Sequence, residues 1–167
     1  MMTRLHRDYE TFSEEDIKKA GGYKYCRHPS TEALMLAWAF DDDEPQIWLP
    51  GEPEPLWVEE LEDNASFGLD LEFQITAQND FFELCIMKNV LDWPIPDVKH
   101  WYDVAADTAA LALPRSLEDC GDALGLDTTL LKDPEGKKLI NWFCSPTTRK
   151  KQKVRRMPED HPEEFEA

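Results

Sequence analysis

The reading of this chain turns on its first stretch, Thr3-Arg4-Leu5-His6-Arg7-Asp8-Tyr9-Glu10-Thr11. Residues two apart in an extended strand point to the same face. Thr3 to Glu10 is read as a short first strand, with Leu5 its one clear apolar residue and Asp8 and Glu10 side by side. Two carboxylates held that close are costly unless a cation sits between them. Hard oxygen ligands at close quarters suit Mg²⁺ or Mn²⁺. A lone Asp-x-Glu fits a solvated strand edge as well, because acids are common on surfaces.

Moving outward, Ser13-Glu14-Glu15-Asp16 resembles a helix N-cap with an acid three residues on, and a short helix is expected to stop at Gly21-Gly22. Leu34 to Phe40 is a continuous apolar run, as in a central strand. The acidic turn 41–45 then returns the chain through Gln46 to Leu49 as a hairpin partner. Leu56 to Glu62 is read as helix. Leu71 to Thr76 alternates apolar and polar residues at the strand period. Phe81 to Val90 reads as a helix broken at Trp93-Pro94-Ile95-Pro96. Asp97 to Leu113 is expected to be a second long helix. Ser116 caps a helix from Leu117 to Leu124 that stops at Gly125, and Pro134 to Phe143 forms another. Strands come first and helices later, which points to an α/β sheet with helices packed on it.

A second acidic feature, Asn79-Asp80-Phe81-Phe82-Glu83, follows the strand at 71–76 and opens a helix. Asn79 and Glu83 fall on one helical face. Read alone, Glu83 is also an ordinary first-turn acid that complements the helix dipole.

The 167 residues are 41% hydrophobic and 11% aromatic, enough for one domain with a real core, and a disordered tail is excluded. There is no run of about 18 apolar residues, so no membrane span is expected, and the N-terminus has no apolar signal core. Cys26, Cys85, Cys120 and Cys144 form no Cys-x-x-Cys pair and are read as reduced, mostly buried thiols of a cytoplasmic protein. A net charge of −17 opposes nucleic-acid binding by the chain as a whole. The charge is uneven, however. Residues 149–156 hold six cations in eight positions, with Arg149, Lys150 and Lys151 leading, and read either as a local phosphate-binding patch or as a solvated loop.

The sequence Asp8-Tyr9-Glu10-Thr11-Phe12-Ser13, with Asp16 to Tyr25 and His28-Pro29, resembles the opening of phage-type family A DNA polymerases. Trp101 to Gly125 is similar to the segment that follows their second exonuclease motif, most tellingly at Leu113-Pro114-Arg115-Ser116-Leu117 and Ala123-Leu124-Gly125-Leu126. Gly136 to Ile140 and the corner Phe143-Cys144-Ser145-Pro146 also fit. The resemblance covers nearly the whole chain in order. It implies an α/β, RNase H-like mixed sheet flanked by helices, a 3′→5′ proofreading exonuclease domain of the DEDD type spanning residues 1–167.

The resemblance further implies a site. Asp8 would bridge two metal ions, Mg²⁺ or Mn²⁺ about 4 Å apart. Glu10 would bind one ion and orient the attacking water, and Glu83 would fill the second acidic motif. Asn79 would help position the backbone. Thr11 and Phe12 would lie beside the terminal nucleotide of a single-stranded DNA 3′ end, with Tyr25 either a stacking platform or a core aromatic. The implied partner is a C-terminal polymerase domain or fragment, and the implied setting is the cytoplasm of a bacterial or phage-infected cell. The family's third motif, Tyr-x-x-x-Asp, is not found. Asp103 and Asp107 come too early for it and are read as surface or structural acids. Residues 157–167 read as the start of an incomplete C-terminal helix, so the domain is expected to be truncated there. His161 precedes a Pro and is not assigned to catalysis. Arg7 is unexpected in a strand that should be buried. Two alternatives stand beside the nuclease: a catalytically deficient exonuclease-like scaffold for a polymerase, and a DNA-binding module acting through 149–156.

Overall fold

The computed structural model describes residues 2–126, 134–149, 152–154 and 156–165. Its frame is a five-stranded mixed sheet. The first strand, β1 (Thr3–Phe12), buries Leu5, Arg7, Tyr9 and Thr11 on one side and shows Arg4, His6 and Asp8 on the other. The apolar run becomes β2 (Glu32–Phe40), which pairs antiparallel with β1, from Leu5 opposite Phe40 to Phe12 opposite Glu32. The acidic turn folds β3 (Gln46–Trp48) back onto β2. On the other side of β1, β4 (Phe73–Ala77) runs parallel, and β5 (Trp101–Asp103) runs parallel to β4. The order is β3-β2-β1-β4-β5. With helices packed on the sheet, this is the RNase H-like arrangement.

Parallel neighbours need crossover connections. The helix α3 (Leu56–Phe67) lies in the connection between β3 and β4, and α4 (Asp80–Ile86) lies between β4 and β5. A π-turn at Met87–Leu91 extends α4. Leu5, Leu36, Trp57, Leu61, Ile75 and Ile86 are 0–2% exposed and form the centre of the main core. Each such aliphatic side chain contributes roughly 1.5–3 kcal/mol by leaving water. Trp93, where the proline run begins, closes this core with its ring 5.1 Å from Trp48 and 5.5 Å from Trp57. Its indole N–H donates to Glu54 at 2.7 Å.

Short helices α1 (Ile17–Ala20) and α2 (Gly22–Cys26) follow β1. After β5 come α5 (Val104–Ala110), α6 (Leu117–Leu124) and α7 (Pro134–Phe143). As expected, Ser116 caps α6 through the Asp119 amide, and Gly125 ends it in the left-handed region. Beyond α7, β6 (Thr147–Arg149) and β7 (Gln152–Val154) pair antiparallel, and α8 (Pro162–Phe165) follows. A second core of Phe12, Leu34 and Phe143 forms where α7 and α8 cover the far end of the sheet.

Three expectations are corrected. The long helix over 97–113 is instead a 3₁₀ turn at Val98–His100, the strand β5 and the short α5. Asp97 caps the turn and Asp103 caps α5, so two side chains stop the backbone from running on as one helix. The cap of α1 is Asp16, not Ser13. Ser13 is buried, and its hydroxyl accepts from Thr31 Oγ1 at 2.8 Å. The basic stretch is not simply a loop, because Thr147–Arg149 and Gln152–Val154 are paired strands. Lys150, Lys151 and Arg155 lie outside the described residues. The four cysteines are free thiols, three of them buried. No helix among the described residues is long and apolar enough to cross a membrane.

Candidate active site at the open edge of the first strand

The pairing of β1 with β4 covers only Thr3 to His6. From Arg7 onward β1 keeps β2 on one side, and the other side is left for α4. The chain turns there because β4 ends at Ala77 and Asn79 takes a left-handed conformation, φ 61°. Asn tolerates that region better than most residues because its short polar side chain bonds locally. The Asn79 amide donates to Asp103 Oδ1 at 3.1 Å, and the same carboxylate accepts from Ala105 at 2.9 Å. Asp103 thus ties the start of α4 to the start of α5, which favours the structural of the two readings, surface or structural, that the sequence left open.

This turn delivers Glu83 to β1. An edge amide without a ladder partner must find another acceptor when buried. The Tyr9 amide finds it in Glu83 Oε2, at 3.2 Å. Glu83 is 3% exposed. Burial pushes its pKa up to about 8. Arg7 opposes that shift, while the charge of Asp8 adds to it. Asp8 itself is exposed and Glu10 is half-buried, both on β1. The alternation puts Asp8 and Glu10 on the face opposite Arg7 and Tyr9, and α4 brings Glu83 to the Tyr9 amide between them.

Beside this edge lies a cleft of about 650 Å³, lined among others by Glu10, Thr11, Tyr25, Phe82, Asn141 and Cys144. Its mouth carries Glu14, Glu15, Asp16, Lys18 and Lys19. Thr11 and Tyr25 share a hydrogen bond at 3.0 Å. Tyr25 is 6% exposed, and its ring packs 5.9 Å from Phe82. It is mainly a core aromatic whose edge reaches the cleft, so the stacking-platform alternative gives way to the core one. Phe12 is corrected more firmly. It is 2% exposed in the second core with Leu34 and Phe143, since α7 covers that end of the sheet, so its ring is not open to a nucleotide. Asn79 is exposed at the head of α4. Arg149 ends β6, and its side chain lies outside the described set.

Two participants were not foreseen. The Cys144 thiol donates to Glu10 Oε2 at 3.4 Å, across 134 residues of sequence. Burial and the neighbouring Glu10 push that thiol up to about 12, so it is protonated and remains a donor. Arg7, which looked misplaced, has a fully buried side chain paired with Asp80 at 3.0 Å. His161 packs on Trp142 and Phe143, 5.3 and 6.4 Å between ring centres, in keeping with a packing role.

No protein-family model matches the chain. Over 169 aligned residues, 99% of this chain, it is 37% identical to a DNA polymerase of Bacillus phage SP02. The chain is a relative of part of a phage DNA polymerase. It spans about a quarter of the length of that relative, 25%. Among solved structures, an apo exonuclease I is similar at TM-score 0.46 and 16% identity, over 75% of this chain and 37% of the other. The zinc-bound form of E. coli exonuclease I in complex with single-stranded DNA is similar at TM-score 0.48 and 13% identity, over 99% and 42%.

Proposed function

We propose that the chain is the 3′→5′ exonuclease domain of a DNA polymerase, acting on the 3′ end of single-stranded DNA by metal-assisted hydrolysis. The observation that carries this reading is the delivery of the buried Glu83 to the Asp8–Glu10 stretch at the open edge of β1, beside a cleft. The likeness to part of a phage polymerase supports it.

The donor chemistry fits a divalent cation. Asp8, Glu10 and Glu83 offer only carboxylate oxygens, which suit Mg²⁺ or Mn²⁺. Glu83 and Asp8 also oppose one another's charge, a conflict that a cation relieves. As they stand, no three His, Cys, Asp or Glu side chains among the described residues are gathered closely enough to hold an ion. Asp8, Glu10 and Glu83 are therefore assigned as the residues that would hold it once they draw together. Bound divalent ions supply an activated water and offset the charge that builds on the phosphate.

The chain's own residues do the rest. Glu10, half-buried and lining the cleft, would orient a water toward the phosphate. The Cys144 thiol fixes one Glu10 oxygen by donating to it. Thr11 and the hydroxyl of Tyr25 offer hydrogen bonds to a terminal nucleotide. The basic stretch around Arg149, Lys150 and Lys151 would hold the phosphate backbone outside the cleft. Such a domain would work in proofreading, joined to a polymerase domain, inside a bacterial or phage-infected cell.

The absence of a ready three-ligand group among the described residues favours a second reading, a catalytically deficient scaffold with the same fold. The two separate in a degradation assay on a 3′-labelled single strand with Mn²⁺. Nucleotide release that disappears in Asp8→Ala supports the nuclease. Folded protein that neither binds Mn²⁺ by calorimetry nor releases nucleotides supports the scaffold.

A further inference from the structure

A charged side chain in the central strand of a sheet, on its buried face, needs a reason. Arg7 is such a residue. Its side chain is fully buried and that of Asp80 is 6% exposed. Asp80 is the first residue of α4, one turn before Glu83. The guanidinium also lies 4.8 Å over the Trp101 ring and 5.9 Å from that of Tyr9, and it contacts the Met87 sulfur. Arg7 therefore touches β5, β1 and both ends of the α4 segment, at the point where β4 has left β1.

A buried ion pair is weak as a source of stability, because desolvation offsets most of its attraction. Apolar residues of similar volume would pack this position as well. What they would not supply is a directional bond from β1 to the first turn of α4. We propose that Arg7 is a positioning residue: through Asp80 it pins the head of α4 to β1, so that Glu83 stays on the Tyr9 amide at the open edge. Its charge also works in favour of the Glu83 carboxylate, against burial and Asp8. This inference rests on the nuclease reading for what Glu83 does, but not for where Glu83 sits.

The decisive variant is Arg7→Met/Asp80→Leu, since replacing both partners of a buried pair avoids leaving one charge stranded. Two readouts are taken on the full chain. Hydrogen exchange of the Tyr9 amide should quicken about tenfold or more, as in Glu83→Ala, while amides of the β1–β4 ladder exchange as before. Release of nucleotides from a 3′-labelled strand with Mn²⁺ should fall about tenfold in kcat, with KM little changed. If the Tyr9 amide stays as protected as in the parent, Arg7 does not hold Glu83 and the proposal is overturned, whatever the activity. Should the double variant fail to fold, Arg7→Lys decides by the same amide: quickened exchange supports the proposal and unchanged exchange overturns it. A parent chain that never releases nucleotides overturns the nuclease reading alone, because the amide measurement does not depend on it.

Discussion

The two halves of β1 differ in what flanks them. Thr3 to His6 pairs with β4, and from Leu5 onward β2 lies on the other side. Arg7 to Phe12 keeps β2 but faces α4 across an edge with no ladder. In the first half, backbone bonds are met by neighbouring strands, and the side chain with most at stake is Leu5, wholly buried. In the second half the Tyr9 amide turns to a side chain, Glu83, with Asp8 and Glu10 the neighbouring residues of the strand. A central strand that loses one neighbour part-way keeps its ladder on the other side and leaves backbone groups for side chains to meet.

The largest expected effect tests that division directly. Asp8→Ala should lower Mn²⁺-dependent release of a 3′-terminal nucleotide by about a hundredfold or more, the scale of losing a group that activates or orients water. The fold should be unharmed, because Asp8 is exposed and its charge opposes that of Glu83. His6→Ala, two residues earlier on the same face, should leave the rate within about twofold and the stability within about 0.5 kcal/mol, as for an ordinary surface site. Equal losses in the two variants, measured side by side, would erase the distinction between the halves.

The converse change belongs to the paired half. Leu5→Ala removes a wholly buried side chain and leaves a cavity, which should destabilise the domain by about 2–5 kcal/mol in urea unfolding. Among the molecules that remain folded, the rate per molecule should be close to that of the parent. A loss of rate beyond the folded fraction would mean that the scaffold half also shapes the site.

Much of this division was legible beforehand, and the reasons for the gaps are physical. The period of two over Leu71 to Thr76, the apolar run at 34–40 and the caps at Ser116 and Gly125 each follow from a local rule, and each marked a real element, though the first strand in that set begins two residues later, at Phe73. β5 was hidden because three residues cannot display a strand period, and the alanine-rich stretch after Trp101-Tyr102-Asp103 reads as one helix. Alternation alone put Asp8 and Glu10 on one face of a strand, and their candidacy as a site came from the family resemblance. The contacts of Glu83 with the Tyr9 amide and of Cys144 with Glu10 were not, since they join elements 74 and 134 residues apart. Arg7 was noticed only as an oddity, because its partner Asp80 lies on an element whose docking no local pattern reveals.

A smaller effect sharpens the comparison through pH. Glu83 titrates near 4.5 in the unfolded chain but near 8 in the fold, chiefly because it is buried. Asp80 is raised likewise to about 6, by burial in the face of Arg7. Between each pair of values the unfolded chain has lost a proton that the folded chain still holds, so stability falls as pH rises. In a chelator, the thermal midpoint should therefore climb as pH is lowered from 8 towards 5, from these two groups. Glu83→Gln should flatten the upper part of that slope, and Mn²⁺ should also make it shallower by favouring the carboxylate. The variant Glu62→Gln, whose parent side chain is exposed, is the control and should keep the parental slope. A slope unaffected by Glu83→Gln would mean that Glu83 is not the group buried at the edge.

The smallest effect concerns how DNA is held beyond the edge. The cleft mouth is mostly acidic and the chain carries a net charge of −17, so attraction for a phosphate backbone must be local. Residues 149–156 are the one stretch of the sequence with six cations in eight positions. Each single-strand phosphate neutralised by a cation releases counterions and adds about 0.7 to the slope of log affinity against log salt. Replacing Arg149, Lys150 and Lys151 by Gln should thus reduce that slope by up to about 2 while weakening binding at low salt. On the proposed reading, in which these residues hold the strand and take no part in the chemistry, turnover at saturating DNA should change little. The measurement is fluorescence anisotropy of a labelled single strand across a salt series, with Ca²⁺ in place of Mn²⁺. If the slope is unchanged, the basic stretch is a solvated ribbon, and the strand must be gripped by the cleft itself. If the slope drops and kcat drops with it, the stretch reaches the reacting end, and the line between holding and chemistry must be drawn closer to β6.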